Sequence, residues 1–146
     1  MPSPRWTGAV DGDAIRAVDA RARSRFIYLA ESIDNWRSHA DAVLKGGVWS
    51  GDCDDLASTT LDLLGRDGVA SDDRYRLVVS STGAKKPDHM VACVRADDGA
   101  FLIVGDTFKP AYSAAAMNHR GIFYNRLSET QPEAVWREGV PWRKST

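Results

Sequence analysis

From Asp13 onward the apolar residues Ile15, Val18, Ala22, Phe26, Leu29, Ile33 and Trp36 recur at steps of 3, 4, 4, 3, 4 and 3. That spacing is the repeat of one helical face and predicts an amphipathic helix, capped at its start by Asp11 or Asp13. The polar stretch Glu31-Ser32-Ile33-Asp34-Asn35 interrupts it, and a second short helix runs through Leu44 until Gly46-Gly47 stops it. Val48-Trp49-Ser50-Gly51 reads as a turn. A further helix then spans about Asp52 to Leu64, with Cys53, Ala57, Thr60, Leu61 and Leu64 at i, i+4, i+7, i+8 and i+11 on one face. Gly65 stands where a C-terminal cap is expected. The thiol end of this helix therefore points toward the packed interior or a cleft against it.

The second half of the chain changes period. Tyr75–Ser81 holds Leu77-Val78-Val79, and His89–Val94 and Phe101–Val104 are apolar runs rich in β-formers. Asp97-Asp98-Gly99 between the last two is a hairpin signal. Shorter strands are expected near Ile122–Tyr124 and Ala134–Arg137. Helices first and strands later predict an α+β fold with a mostly antiparallel sheet.

At 146 residues the chain reads as a single domain over 1–146, with 43% apolar and 27% charged residues and a formal net charge of -1. That charge removes any general electrostatic case for nucleic acid or an anionic membrane as partner. No apolar run approaches a membrane span, so no membrane insertion is expected. The segment Met1-Pro2-Ser3-Pro4-Arg5-Trp6 lacks the apolar core of a secretory signal. The expectation is a cytoplasmic protein, or a periplasmic one if the chain is a mature form; no feature points to an oligomeric state. Two cysteines do not make a disulfide framework at this size, and a Cys53–Cys93 bridge is disfavoured.

The candidate chemistry centres on Gly51-Asp52-Cys53-Asp54-Asp55-Leu56-Ala57. A thiol attacks carbonyls as thiolate, and the first turn of a helix favours negative charge through its unpaired N–H groups and dipole. The same N–H groups suit an oxyanion. Strand alternation puts His89, Val91 and Cys93 on one face and Met90, Ala92 and Val94 on the other. With the first face against the Cys53 helix, His89 reaches the thiol while Cys93 lies deeper in the core. His89 lies nine residues before Asp98 and Asp106 eight after it, so the hairpin brings the two together as near cross-strand neighbours. A carboxylate there fixes the imidazole tautomer. His39 and His119 have no comparable setting and read as surface residues. Asp52, Asp54 and Asp55 oppose ionisation of the thiol. Either they serve as helix-start charges, or Asp52 and Asp54 offer hard oxygen ligands to Ca²⁺.

These residues, with Leu64-Gly65, His89-Met90-Val91 and Gly105-Asp106, resemble the bacterial transglutaminase-like cysteine proteinases, which include the periplasmic LapG-type proteases. The pattern of that family is a Gly-Asp-Cys-Glu-Asp-Tyr-Ala helix start, a His-Ala-Val or His-Met-Val strand and a Leu-Asp-Asn strand end. The likeness runs from about Phe26 to Tyr124. It implies a papain/transglutaminase-like fold, a Cys53–His89–Asp106 triad, and Asp52 and Asp54 as calcium ligands. Asp54 stands where Glu is usual, Leu56 where an aromatic is usual, and Thr107 where Asn is usual.

The leading expectation is a cysteine-dependent endopeptidase acting on a protein or peptide substrate, with Trp49 or Ser50 lining the cleft. The same triad also serves amide transfer, deamidation or a cell-wall amidase, although the Asp-Cys-Ser-Gly motif of NlpC/P60 amidases is absent. The three departures motivate a further alternative, an inactive calcium-responsive binding module on the same fold. Trp6, Trp36, Trp136 and Trp142 are candidates for cleft or partner contacts, with core packing the commoner use.

Overall fold

Asp11 accepts a hydrogen bond from the Ala14 N–H at 2.8 Å and so starts helix α1, Gly12–Arg23, which buries Ile15, Asp19 and Ala22 along one side. The computed structural model describes residues 10–30, 37–80, 89–116, 121–125, 135–137 and 140–142. The apolar spacing that suggests a longer helix does not hold beyond Arg23. Phe26–Tyr28 instead forms strand β1, which pairs in parallel with β2, Trp49–Gly51. The Phe26 ring tilts against Trp49 at 4.7 Å, and the Trp49 N–H donates to the Arg25 carbonyl at 3.1 Å. Trp49 is thus part of a strand rather than a turn. Its indole N–H also satisfies the Ala22 carbonyl at the end of α1, at 3.0 Å. Between them lies the short helix α2, Ala40–Leu44.

Helix α3, Cys53–Arg66, is the centre of the fold, and ten of its residues are buried, so it has apolar neighbours on more than one side. Leu56 and Leu63 pack with Ala22, Val43 and Trp49. Ala57, Leu61 and Leu64 pack with Ile15 and with the sheet residues Met90, Ala92, Val94 and Val104. Its end lies beyond Gly65, which stays helical. The N–H of Val69 reaches the Leu64 carbonyl at 3.0 Å, that of Gly68 reaches Gly65 at 3.2 Å, and Gly68 takes φ +100°. That is a Schellman ending, with Gly68 in the position that tolerates positive φ.

The sheet follows in sequence: β3 (Arg74–Ser80), β4 (His89–Arg95), β5 (Phe101–Val104), β6 (Tyr112–Ser113) and β7 (Gly121–Asn125), in the spatial order β6-β5-β4-β3-β7. All neighbours are antiparallel. The Asp97–Gly99 turn joins β4 to β5 in the register Ala92↔Val104 and Cys93↔Ile103, with Gly99 at φ +84°. A separate hairpin pairs β8 (Val135–Arg137) with β9 (Val140–Trp142). Ile33, Trp36, Trp6 and His119 lie outside the described residues, as do the side chains of Trp136 and Trp142. No helix among the described residues is long and apolar enough to cross a membrane.

The face of β4 that meets α3 is the reverse of the expected one. Met90, Ala92 and Val94 contact the helix, while Val91 and Cys93 pack on the far side with Leu77 and Ile103. Both faces are apolar and buried, so alternation alone does not choose between them. The small Ala92 and Ala57 sit at the helix–sheet contact, where close approach demands small side chains.

Gly105 ends β5 at φ +61°, and a Cβ placed there would come within 2.8 Å of the Ala57 Cα. Gly68 also has positive φ, but has nothing within 4 Å. Gly68→Ala should therefore cost only backbone strain, about 1–2 kcal/mol. Gly105→Ala adds an overlap with α3 worth about 1–3 kcal/mol more. Urea unfolding midpoints of the two variants check this, and equal losses would mean that the Gly105 turn moves freely off the helix.

Candidate active site

Cys53 is the first residue of α3 and Asp52 precedes it as N-cap. Asp55 reaches back so that its Oδ2 accepts from the Asp52 N–H at 3.2 Å, the inward half of a capping box. That carboxylate occupies the space a side chain on Gly51 would need; a Cβ there would overlap Asp55. Glycine at position 51 is therefore a local packing requirement of the Asp55 cap. Cys53 is only partly buried, whereas Cys93 is fully buried in the core; both thiols are free.

His89 opens β4 at 5% exposure. Its Nε2 donates to Asp106 Oδ1 at 3.0 Å, the reach the hairpin spacing anticipates. Asp106, just past the Gly105 turn, also accepts from the Phe108 N–H at 2.9 Å on Oδ1 and from the Tyr112 hydroxyl at 2.7 Å on Oδ2. The Phe108 ring stacks on the imidazole, with centroids 4.4 Å apart and planes at 23°. A cleft of about 460 Å³ brings Cys53 and His89 to one surface, walled by Phe26, Tyr28, Thr107 and Phe108. Tyr28 and Phe108 are more than half exposed, so the cleft presents aromatic walls to solvent.

Two expectations need correction here. Trp49 and Ser50 do not line this cleft; Trp49 is buried behind it in the packing of α1, α2 and α3. His39 is not a plain surface residue but half-buried, stacked on Trp49 at 5.0 Å. The cleft walls come instead from β1 and the 107–108 turn. Aromatic residues there carry no periodic signal, and only the short apolar run Phe26-Ile27-Tyr28-Leu29, exposed from Ile27 onward, hints at them.

Electrostatics around the thiol are adverse. Burial pushes the Cys53 thiol up, to about 11; Met90 and Asp54 N–H groups bonded to the sulfur pull it down, while Asp52 and Asp54 push it up further. Tyr28 is raised as well, by burial first and then by Cys53, Asp52 and Asp54. Asp52, Asp54 and Asp55 are all buried, and each brings one carboxylate oxygen within 4.8 Å of the others. Asp52 Oδ1 and Asp55 Oδ1 have no hydrogen-bond partner among the described residues. Buried carboxylate oxygens without donors fit a hard divalent cation, and Asp55 joins the pair that the sequence singled out.

Compared with protein-family models, the chain matches none, and it matches no curated protein sequence. Its fold does match solved structures. One of Legionella pneumophila LapG superposes with a TM-score of 0.60 at 24% identity, over 79% of this chain and 64% of that one. The calcium-bound form of the same protein gives 0.55 at 26%, over 76% and 62%. The EGTA-treated form gives 0.59 at 22%, over 90% and 66%. The chain has the papain/transglutaminase-like fold. It spans between 62% and 66% of the LapG chains.

In cation-free His89→Ala protein, burial, the Met90 and Asp54 N–H groups and the carboxylates of Asp52 and Asp54 set the ionisation of the thiol. Below about 11 it is then mainly protonated, so alkylation by iodoacetamide should accelerate with pH up to a midpoint near 11. A midpoint at or below the ordinary value of 9.0 would contradict the burial of the sulfur.

Proposed function

We propose that the chain is a cysteine-dependent hydrolase cleaving a protein amide bond, with Cys53 as nucleophile, His89 as proton shuttle and Asp106 as the group that orients His89. The observation that carries this reading is the buried His89–Asp106 hydrogen bond opening on the same cleft as a cysteine at a helix start. Because Nε2 is engaged by Asp106, Nδ1 is the nitrogen that takes the thiol proton. The sulfur adds to the substrate carbonyl, and the Cys53 N–H in the first turn of α3 holds the oxyanion. His89 returns its proton to the leaving amine as the C–N bond breaks. Water, deprotonated by His89, then cleaves the thioester and restores the thiol.

Asp52, Asp54 and Asp55 would hold Ca²⁺. Bound there, the ion supplies positive charge beside carboxylates that otherwise disfavour the thiolate. The unpartnered oxygens of Asp52 and Asp55 support this reading, as does the likeness to a LapG solved in a calcium-bound form. One observation favours the alternative of an inactive calcium-responsive module, namely the thiol held at about 11.

Peptide hydrolysis should vanish in Cys53→Ala and His89→Ala, and fall about a hundredfold or more in Asp106→Asn, with each variant folded by circular dichroism. Turnover by folded Cys53→Ala removes the hydrolase assignment. Trapping with hydroxylamine beside water separates hydrolysis from amide transfer.

Calorimetry should detect Ca²⁺ binding that weakens in Asp52→Asn and Asp54→Asn. Saturation at a hundred times Kd should stabilise the fold by about 2.7 kcal/mol. Alkylation of Cys53 at pH 7 should rise with Ca²⁺ and fall with EGTA; no alkylation in either state points to the inactive module.

A further inference from the structure

Asp19 lies on the buried side of α1 at 1% exposure, between Ile15 and Ala22, where an apolar residue would be expected. Its carboxylate accepts four hydrogen bonds. Oδ1 takes the Gly105 N–H at 2.7 Å and Arg23 Nη2 at 3.0 Å; Oδ2 takes the Ala111 N–H at 2.9 Å and Arg23 Nε at 2.9 Å. Gly105 and Ala111 flank the segment that carries Asp106, Thr107 and Phe108. One carboxylate therefore holds both ends of the turn that bears the His89 acceptor and the ring stacked on His89. Arg16 Nη1 adds a bond to the Ala111 carbonyl at 2.9 Å from the same helix.

We infer that Asp19 is a positioning residue: it clamps the 105–111 turn to α1 and thereby sets the Asp106 carboxylate and the Phe108 ring against His89. The inference rests on the hydrolase reading for its catalytic consequence, and on geometry alone for the clamp. A merely structural anchor would be satisfied by Arg23, which already pairs with it across one helical turn. The two backbone N–H bonds go instead to the functional turn, where buried donors must be paired. In Asp19→Asn the side chain keeps its shape, but one of its two oxygens becomes a donor facing a donor. One end of the turn is then released. Displacement of a catalytic group by about 1 Å costs up to about a hundredfold in rate.

The test compares wild type, Asp19→Asn and Asp106→Asn by NMR of the His89 imidazole and by Cys53 alkylation at pH 7 under one fixed calcium concentration. In wild type the Nε2 proton bonded to Asp106 should give a slowly exchanging downfield resonance, which Asp106→Asn abolishes. Asp19→Asn should shift or broaden it and slow alkylation by about tenfold or more. An unchanged resonance in folded Asp19→Asn, or no such resonance in wild type, overturns the inference. If Asp19→Asn does not fold, amide exchange in wild type decides: Gly105 and Ala111 N–H groups should be strongly protected, and exchange at open-loop rates overturns the clamp. A resonance that responds to Asp19→Asn in a protein that hydrolyses no peptide upholds the clamp and removes the hydrolase reading.

Discussion

The contact between Ala57 of α3 and the Gly105 turn governs the site. Gly105 leaves no room for a side chain against the fully buried Ala57, and it also needs its positive φ. With the helix and the end of β5 this close, the first turn of α3 is level with the start of β4. The thiol and the imidazole are then brought to one cleft, with the Asp106 carboxylate bonded behind His89, by packing between rigid elements. A larger residue at Ala57, Ala92 or Gly105 would move one partner relative to the others, and loss of alignment in a catalytic group is felt well before loss of fold.

Burial is what makes the helix start unusual. Three carboxylates at the positive end of a helix are favourable when hydrated, because dipole and solvent both stabilise them. Here all three are buried, and two oxygens have no donor among the described residues. An unsatisfied buried acceptor costs about 1–3 kcal/mol, and more when charged. A neutral replacement that capped the helix equally well would avoid this cost. The arrangement makes physical sense when the same oxygens face a divalent cation, whose charge would offset that of Asp52 and Asp54 beside the thiol.

Much of the central fold was legible because its signals are local. Cys53 to Leu64 repeats at helical spacing, Asp97-Asp98-Gly99 marks its own turn, and counting outward from that turn brings His89 beside Asp106. The parallel pairing of β1 with β2 was not legible, since it joins three-residue strands across an intervening helix and Phe26 happens to continue the spacing of α1. Nor was the packing face of β4, where Met90 and Val91 are equally apolar and only the tertiary contact decides. Asp55 and Asp19 carry a weaker trace. An acid at i+4 from Ile15 and three before Ala22 falls on a buried stripe, and a buried acid implies partners that the sequence does not name.

The partners of Asp106 complete the reasoning about the site. A carboxylate that only orients an imidazole must not take its proton, and the way to ensure that is to satisfy its charge with other donors. Asp106 has at least two, the Phe108 N–H and the Tyr112 hydroxyl. Burial, and then the bond to Asp106 itself, push the Tyr112 phenol well above its ordinary value. The phenol therefore remains protonated, and remains a donor, at any pH where a thiol hydrolase works. Phe108 couples the same segment to the imidazole by stacking while the residue as a whole stays 65% exposed. An aromatic side chain left that open loses hydrophobic stabilisation unless something else covers it. In the hydrolase reading, the surface that would cover it in the cleft beside Cys53 is that of the substrate.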